Sequence, residues 1–434
     1  MRGPDGGQCG TSTPLTSGGS AGDPEAVAFD VLHVVPYFYP AWAYGGIPRL
    51  VYGLARQQAR AGARVTVVTT DARDARRRTG GTGWVGELHG IRVARFPNVS
   101  NWLAYRHQLF LPTGAGTFLA EHLAEHDVVH LHGHRHLLNN LALRALRRVD
   151  RPLLMTPNGT LPPLERKRTV KRLWDLALGD AVLRRCDLFI AVSQAETAQL
   201  QRAGIGRDRI RSVPNGIELA EFEERPPRGE FRRRFAIDDA PMVLYLGKIT
   251  PRKGVGHLLE AFGQLNIPAA RLVIAGNDMT GELPRLRRLA DRLGVGDRVH
   301  FVGLLRGEDR LRVLSDADVL VYPSEHEIFG LVPFEGLLSG APVIVGDDCG
   351  CGELVARARA GFLVPFGDAT SLARQMEVLL TDRAAGAAMV ARGRDHIRRH
   401  FAWPEVARRT EEAYAVARQR HAGAADRRSG PGYH

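Results

Sequence analysis

Two glutamates separated by seven residues form the clearest chemical pattern in the sequence. Glu327 and Glu335 enclose the mostly apolar segment 328–334, which follows a predicted strand at 319–322. A helix that begins near Gly330 would present free backbone N–H groups and the positive end of its dipole to anions or sugar oxygens. Carboxylates accept hydrogen bonds from vicinal hydroxyls, so the pair suits an extended ligand with a sugar and a ribose. Alone, the pattern is equally consistent with a loop charge and a solvated helix residue.

A second group of chemically capable residues is formed by two lysines. The chain has 59 lysines and arginines, of which only Lys167, Lys171, Lys248 and Lys253 are lysine. Lys248 and Lys253 lie in the loop between a predicted strand at 242–246 and an apolar helix, where cations can bind a diphosphate. The alternative is a Pro-Gly turn with solvated lysines. We expect alanine at either position to change stability by no more than ~0.5 kcal/mol.

Both groups belong to a chain in which short apolar strands alternate with helical segments. The predicted strands are 31–35, 64–69, 128–131, 152–155 and 188–192, followed by 242–246, 272–275, 299–302, 319–322 and 343–345. This alternation is typical of βαβ units in a parallel sheet. A break at 213–216 separates the two series and predicts an α/β fold of two doubly wound, Rossmann-like domains facing a central cleft. Ligands of such sheets bind beyond the carboxyl ends of the strands.

The composition narrows the class of protein. The 434 residues are 44% hydrophobic and 24% charged, values that are ordinary for soluble domains. No run reaches the ~18 apolar residues of a membrane span, and no apolar signal-peptide core follows Arg2. Four scattered cysteines suit a reducing compartment, so we expect a cytoplasmic location. The net charge of +12 suits a nucleotide, an anionic membrane or nucleic acid without choosing among them.

The sequence gives little support for a bound metal ion. The alternating histidines are His130, His132, His134 and His136. They straddle a strand end, so they need not converge, and cysteine or carboxylate ligands at zinc-site spacing are missing. The segment 349–353, with two cysteines separated by one glycine, is neither a redox C-x-x-C motif nor a zinc knuckle. The aspartates at 316, 318, 347 and 348 do not stand in a clear metal-binding place, so we expect no obligatory metal cofactor.

Taken together, these segments resemble one family. The resemblance rests on six segments: the lysine-containing loop 247–254, the two-glutamate segment 327–335, the run Gly340–Ile344, a glycine loop at 44–48, a histidine-containing strand end at 127–133 and a turn at 214–217. They are similar to the retaining GT-B glycosyltransferases, most closely to the glycosyltransferase family 4-like proteins that include sucrose synthases and polysaccharide mannosyl- and glucosyltransferases. The resemblance covers residues 30 to 415.

The resemblance implies roles for individual residues. Lys248 and Lys253 would bind the donor diphosphate, Glu335 the nucleotide ribose and Glu327 the transferred sugar, while His132 would approach that sugar from the acceptor side. The remaining residues implied in donor binding are Gly45, Gly46, Asn215, Phe329, Gly330 and Leu331. Lys248 stands where the family more often has arginine, and lysine lacks the bidentate fork of a guanidinium.

The same resemblance completes the predicted domain organisation. Residues 29–216 would form the acceptor-side domain and 217–400 the nucleotide-sugar-binding domain. Residues 401–420, which begin with Phe401-Ala402-Trp403, would form a closing helix that packs back on the first domain. The compositions of 1–28 and 421–434 are low in bulky apolar residues and predict disordered tails.

The implied activity is transfer of a hexose-type sugar from a nucleoside diphosphate sugar to a hydroxyl acceptor with retention of configuration, in cell-surface polysaccharide or glycolipid biosynthesis. The acceptor would be a glycan or a lipid-linked molecule. One alternative is a nucleotide-sugar epimerase on the same architecture. A nucleic-acid-binding protein is disfavoured because the arginines are dispersed and no recognition module is present.

A basic amphipathic segment at 164–185 raises the question of membrane contact. It mixes cations, among them Lys167 and Lys171, with Leu173, Trp174 and Leu176. Such a helix can lie on an anionic membrane, which would place the protein peripherally at the inner face. The favoured alternative is an apolar face packed on the first domain.

Overall fold

The structure is a computed structural model that describes residues 29–162, 168–237, 239–278 and 280–429. Residues 1–28 and 430–434, for which we predicted disordered tails, lie wholly outside the described residues. So does Lys167 of the basic segment. Within the described ranges the strands form two sheets, one from each predicted series.

The first sheet is built from the N-terminal half of the chain. Its strands are β1 (Asp30–Val34), β2 (Arg64–Thr70), β3 (Gly83–Leu88), β4 (Ile91–Phe96), β5 (Val128–His132), β6 (Leu153–Thr156), β7 (Leu188–Ala191) and β8 (Ile210–Ser212). Their order is β3-β4-β2-β1-β5-β6-β7-β8. Only the β3–β4 pair is antiparallel among these described strands. The central strands are buried along nearly their whole length, because helices cover both faces of a parallel sheet.

The second sheet is parallel throughout its described pairs. Its strands are β9 (Met242–Leu246), β10 (Arg271–Ala275), β11 (Val299–Gly303), β12 (Val319–Tyr322), β13 (Val343–Gly346) and β14 (Gly361–Val364). Their order is β11-β10-β9-β12-β13-β14. The chain therefore adds β10 and β11 on one side of β9, and then adds β12, β13 and β14 on the other side. This reversal creates a crevice between β9 and β12 at their carboxyl ends.

Helices connect the strands of both sheets. In the first half they are α1 (Ile47–Arg60), α2 (Asn101–His107), α3 (Ala115–His122), α4 (Leu137–Ala145), α5 (Arg168–Trp174), α6 (Asp180–Arg185) and α7 (Gln194–Arg202). In the second half they are α8 (Glu230–Arg234), α9 (Val255–Gly263), α10 (Leu283–Arg292), α11 (Gly307–Asp316), α12 (Leu331–Ser339), α13 (Gly350–Ala358), α14 (Ala369–Thr381), α15 (Arg383–His400) and α16 (Trp403–Ser429). Among the described residues, no helix has both the length and the apolar character that crossing a bilayer requires.

Helix α16 returns from the second half and packs on the first sheet. It contacts α1, β6 and β7, and Trp403 and Tyr414 join the apolar cluster that also contains Phe29. The Trp403 ring lies against two glycines, since a Cβ at Gly53 or Gly216 would come within 2.1 or 2.3 Å of it. The helix also runs to Ser429, so residues 421–429 are helical and our prediction of a tail beginning at 421 was wrong for them.

Candidate functional site

The two lysine- and glutamate-containing loops meet at the crevice of the second sheet. The loop 247–254 follows β9, and the loop 323–330 follows the neighbouring strand β12. They touch through backbone, because the Glu325 N–H donates to the Arg252 carbonyl oxygen at 3.0 Å. Gly254 has a φ of +68°, and a Cβ there would lie 2.2 Å from the Pro323 carbonyl oxygen. Glycine at this position therefore allows the close approach of the two loops.

Lys253, Tyr322 and Glu327 form the charged centre of this crevice. Lys253 is ion-paired with Glu327, and its Nζ donates to the Tyr322 hydroxyl at 2.7 Å. That hydroxyl in turn donates to Glu327 Oε2 at 3.0 Å. The side chains of Lys253 and Glu327 are only 13% and 23% exposed, so Lys253 is not the solvated loop lysine on which our stability expectation rested.

The environment keeps Glu327 ionised. Burial alone would raise the pKa of Glu327, but the charge and hydrogen bond of Lys253 and the hydrogen bond of Tyr322 outweigh burial. The net effect holds that pKa below its ordinary value. The crevice thus presents a fixed carboxylate beside a fixed ammonium group, an arrangement that suits a ligand with both hydroxyl and phosphate groups.

The start of α12 places backbone N–H groups beside Glu327. Gly330 precedes this helix with a φ of +67°, and a Cβ there would lie 3.0 Å from Glu327 Cγ and 3.1 Å from Cys351 Sγ. The Phe329 side chain is buried against Phe334 and Phe401, so only its backbone is available to a ligand. The predicted use of the amides of 329–331 is compatible with this geometry.

The first half contributes the glycine loop before α1. Gly45 has a φ of +109°, and a Cβ at this position would lie 3.4 Å from Lys248 Nζ. The structure therefore brings Gly45 and Lys248 together across the cleft. Gly46 has an ordinary helical φ of −76°, and a Cβ there would meet nothing within 4 Å. Open space at Gly46 leaves room for a ligand.

Glu335, Leu331 and Asn215 line two other cavities. Glu335 and Leu331 border one of about 250 Å³ between the halves, and Asn215 borders a smaller one together with His132. Glu335 is ion-paired with Arg310 at 2.7 Å, and Arg310 also pairs with Glu221. Sequence reasoning missed Arg310, because the chain has many arginines and no motif on α11 distinguishes this one.

The four alternating histidines do not converge. His134 is 3.2 Å from Asp175, and His136 packs on Tyr37 and Phe110. His130 and His132 instead lie beside His33 of β1, and potential ligand atoms of these three buried residues lie within 4.8 Å of one another. Sequence reasoning missed His33, although β1 and β5 pair in a register that places it opposite His130.

The two halves also touch beside the loop 323–330. The Glu353 carboxylate accepts hydrogen bonds from the N–H groups of Gln194 and Ala195 at the start of α7, where the helix dipole favours a negative charge. A Cβ at Gly159 would lie 2.8 Å from Ile328. The loop that carries Glu327 is therefore packed against the first half.

Comparison with known proteins identifies the family. Residues 44–221 match the family described as Glycosyltransferase Family 4, and residues 227–396 match Glycosyl transferases group 1. The chain is 30% identical over 421 residues to a D-inositol 3-phosphate glycosyltransferase of Xylanimonas cellulosilytica, covering 91% of this chain and 97% of that protein. It is 31% identical over 216 residues to an uncharacterized glycosyltransferase of Methanocaldococcus jannaschii, covering 48% of this chain and about half, 55%, of that relative.

A solved structure shows the same fold. HepE of Anabaena, crystallised with UDP and glucose, superimposes with a TM-score of 0.70 at 20% identity, over 89% of this chain and 99% of that one. The matched families, together with two Rossmann-like domains around a shared cleft, define the protein as a glycosyltransferase of the GT-B class. Within that class, the chain belongs to the glycosyltransferase family 4-like proteins.

Proposed function

We propose that the protein transfers a hexose-type sugar from a nucleoside diphosphate sugar to a hydroxyl acceptor with retention of configuration. The observation that carries this proposal is the Lys253–Tyr322–Glu327 cluster at the switch point of the second sheet. Lys248 lies in the same loop as Lys253, and Gly45 of the first half lies beside Lys248. A cation pair and a carboxylate in one crevice match a ligand that joins a diphosphate to a hydroxyl-rich ring. The UDP and glucose bound by HepE support the same ligand class.

The proposed chemistry takes place on one face of the sugar. The bond between the anomeric carbon and the diphosphate oxygen breaks as the acceptor oxygen forms its bond to that carbon. The acceptor proton passes to the leaving diphosphate. Lys248, Lys253 and the N-terminus of α12 would stabilise the charge that grows on the diphosphate, and such preorganised contacts are usually the largest contribution to catalysis. The proposal assigns no step to a metal ion.

The test is a panel of nucleotide sugars, first screened by thermal stabilisation and then offered with hydroxyl acceptors. We expect one donor to raise the melting temperature and its sugar to appear in a new linkage. The NMR coupling constant of the new anomeric proton should report the donor's own configuration. An inverted linkage would exclude retention, and an epimer formed from the donor without acceptor would favour the epimerase alternative. We place this activity in cell-surface polysaccharide or glycolipid biosynthesis.

A second proposal concerns peripheral contact with an anionic membrane. Leu173 and Leu176 are 62% and 77% exposed beside the exposed Arg172, which contradicts the expectation that these leucines pack on the first domain. Exposed apolar and basic groups on one segment suit an anionic lipid surface. The chain should therefore sediment with phosphatidylglycerol vesicles more than with phosphatidylcholine vesicles. A Leu173→Ser/Leu176→Ser variant should lose that difference.

A further inference from the structure

A chain of buried polar side chains lies behind His132 and reaches the C-terminal helix. We call it the histidine network. It consists of His33, Gln58, His130, His132, Thr156 and Tyr414, of which all but His132 and Thr156 are at most 1% exposed. His33 Nδ1 is 2.8 Å from His132 Nε2, and His33 Nε2 is 2.9 Å from Gln58 Oε1. The Gln58 amide nitrogen donates to the Tyr414 hydroxyl at 3.3 Å.

These contacts determine where the protons lie. An amide oxygen only accepts hydrogen bonds, so His33 carries its proton on Nε2. A neutral imidazole has one N–H group, which leaves His33 Nδ1 as an acceptor. His132 Nε2 must then donate to it, and His132 Nδ1 is left without a proton.

The other arm of the histidine network agrees with this assignment. The Tyr414 oxygen accepts from Gln58, so its O–H donates to His130 Nδ1 at 2.9 Å. His130 Nε2 then donates to the Thr156 hydroxyl oxygen at 2.7 Å. Burial holds the pKa of His33 at about 4 and those of His130 and His132 well below their ordinary value. All three rings are therefore neutral near pH 7.

A metal ion bound by the three rings would disrupt this network. Both nitrogens of His130 are engaged by Tyr414 and Thr156, and the facing nitrogens of His33 and His132 share one proton. Coordination would require the loss of several hydrogen bonds between buried side chains, and each loss is costly. The geometry therefore favours a neutral, hydrogen-bonded cluster.

We infer that His33 and Gln58 are positioning residues that hold His132 in the Nε2–H tautomer, so that Nδ1 accepts a hydrogen bond from a hydroxyl of the transferred sugar. This inference rests on the proposed function, because it needs a sugar beside His132. It also gives Tyr414 a part in the site, since Tyr414 accepts the amide N–H that orients Gln58. The opposite tautomer would offer the hydroxyl oxygen a donor and leave the hydroxyl proton without an acceptor.

The experiment compares His33→Asn with His33→Leu in the full chain. The Asn Oδ1 atom can stand near the position of imidazole Nδ1 and accept from His132, whereas Leu cannot. Nitrogen-15 NMR of histidine-labelled protein should show His132 protonated on Nε2 in the wild type and in His33→Asn, and a mixture in His33→Leu. With a donor and acceptor, His33→Leu should lower kcat about tenfold at nearly unchanged donor KM, while His33→Asn should stay within about threefold of wild type.

Several results would overturn the inference. They are a wild-type His132 protonated on Nδ1, an unchanged kcat in His33→Leu, or a shift of all three ring signals on titration with stoichiometric Zn²⁺. If the tautomer is as assigned but no nucleotide sugar is consumed, the assignment stands and the proposed function fails. Should His33→Leu not fold, Gln58→Met removes the acceptor of the His33 proton and makes the same comparison.

Discussion

Replacing Lys253 with alanine should damage both the fold and the reaction. The substitution leaves the Glu327 carboxylate in a crevice where it is 23% exposed and has lost its cation. Removing one partner of a fully buried ion pair costs about 3–5 kcal/mol, and the partial exposure reduces the expected loss to about 2 kcal/mol. For a domain of about 200 residues this lowers the melting temperature by roughly 4–8 °C. The lost contact to the leaving diphosphate adds about 3 kcal/mol to the barrier, roughly a hundredfold in kcat/KM.

Two further variants separate these effects. Lys253→Ala/Glu327→Gln removes the stranded charge, so it should recover most of the stability and none of the activity. Lys248→Ala changes an exposed residue, so it should melt near wild type and still transfer sugar slowly. The assay pairs thermal unfolding with initial rates at saturating acceptor. If Lys253→Ala unfolds at the wild-type temperature, the ion pair does not stabilise the fold. If both alanine variants turn over normally, the proposed donor site is in the wrong place.

Three other predictions concern glycines and a buried acid. Gly46→Ala should leave the melting temperature unchanged, because a Cβ there meets no atom within 4 Å. Its methyl group would enter the space proposed for the diphosphate, so calorimetry should show donor binding weakened about tenfold, and equal affinity would argue against that placement. Gly216→Ala should cost roughly 1–3 kcal/mol in urea unfolding, because its Cβ would lie 2.3 Å from the Trp403 ring, and no loss would mean that the ring moves freely. Burial raises the pKa of Glu196 to about 7 from 4.5, so the native state keeps this proton to a higher pH than the unfolded state, and the free energy of unfolding should fall by about 3 kcal/mol as the pH rises from 4.5 to 7. Glu196→Gln should remove that fall, and a variant with the same pH profile as the wild type would contradict the assigned pKa.

The buried parallel strands could be predicted because their apolar runs are continuous. Every predicted strand matches an observed strand to within one residue at each end. The strands that we missed, β3, β4, β8 and β14, lie at or near the sheet edges. In β3, β4 and β8 the apolar residues are interrupted by glycine, glutamate, arginine or serine, and β14 has only three apolar residues after Gly361. Their sequences therefore lack the long apolar run that marks a central strand. Helix α16 extended beyond the prediction because polar residues that look like a tail can continue a helix once its start is packed.

The site was predictable to the extent that it follows the chain locally. Lys253 and Glu327 lie in loops after adjacent strands, so the topology brings them together. The residues that pair with the site's charged groups could not be predicted. Tyr322, which bonds to Lys253 and Glu327, ends a strand whose sequence is typical of a core strand. Arg310, which pairs with Glu335, lies on a helix without a motif. His33 likewise reads as one polar residue in an apolar strand. Its role depends on the register between β1 and β5 and on the contact with Gln58 of α1. Neither can be predicted from a single sequence.

The return of α16 to the first sheet has a consequence for synthesis on the ribosome. The apolar cluster that joins Phe29 to Trp403 and Tyr414 cannot close until the end of the chain has been made. The last strand of the first sheet ends at Ser212, and at about 5–20 residues per second the chain needs roughly 10–40 s more to reach Trp403. During that interval the nascent first half exposes the apolar face that α16 later covers. A chain released before Trp403 would keep that face exposed, and we expect chaperones to bind there.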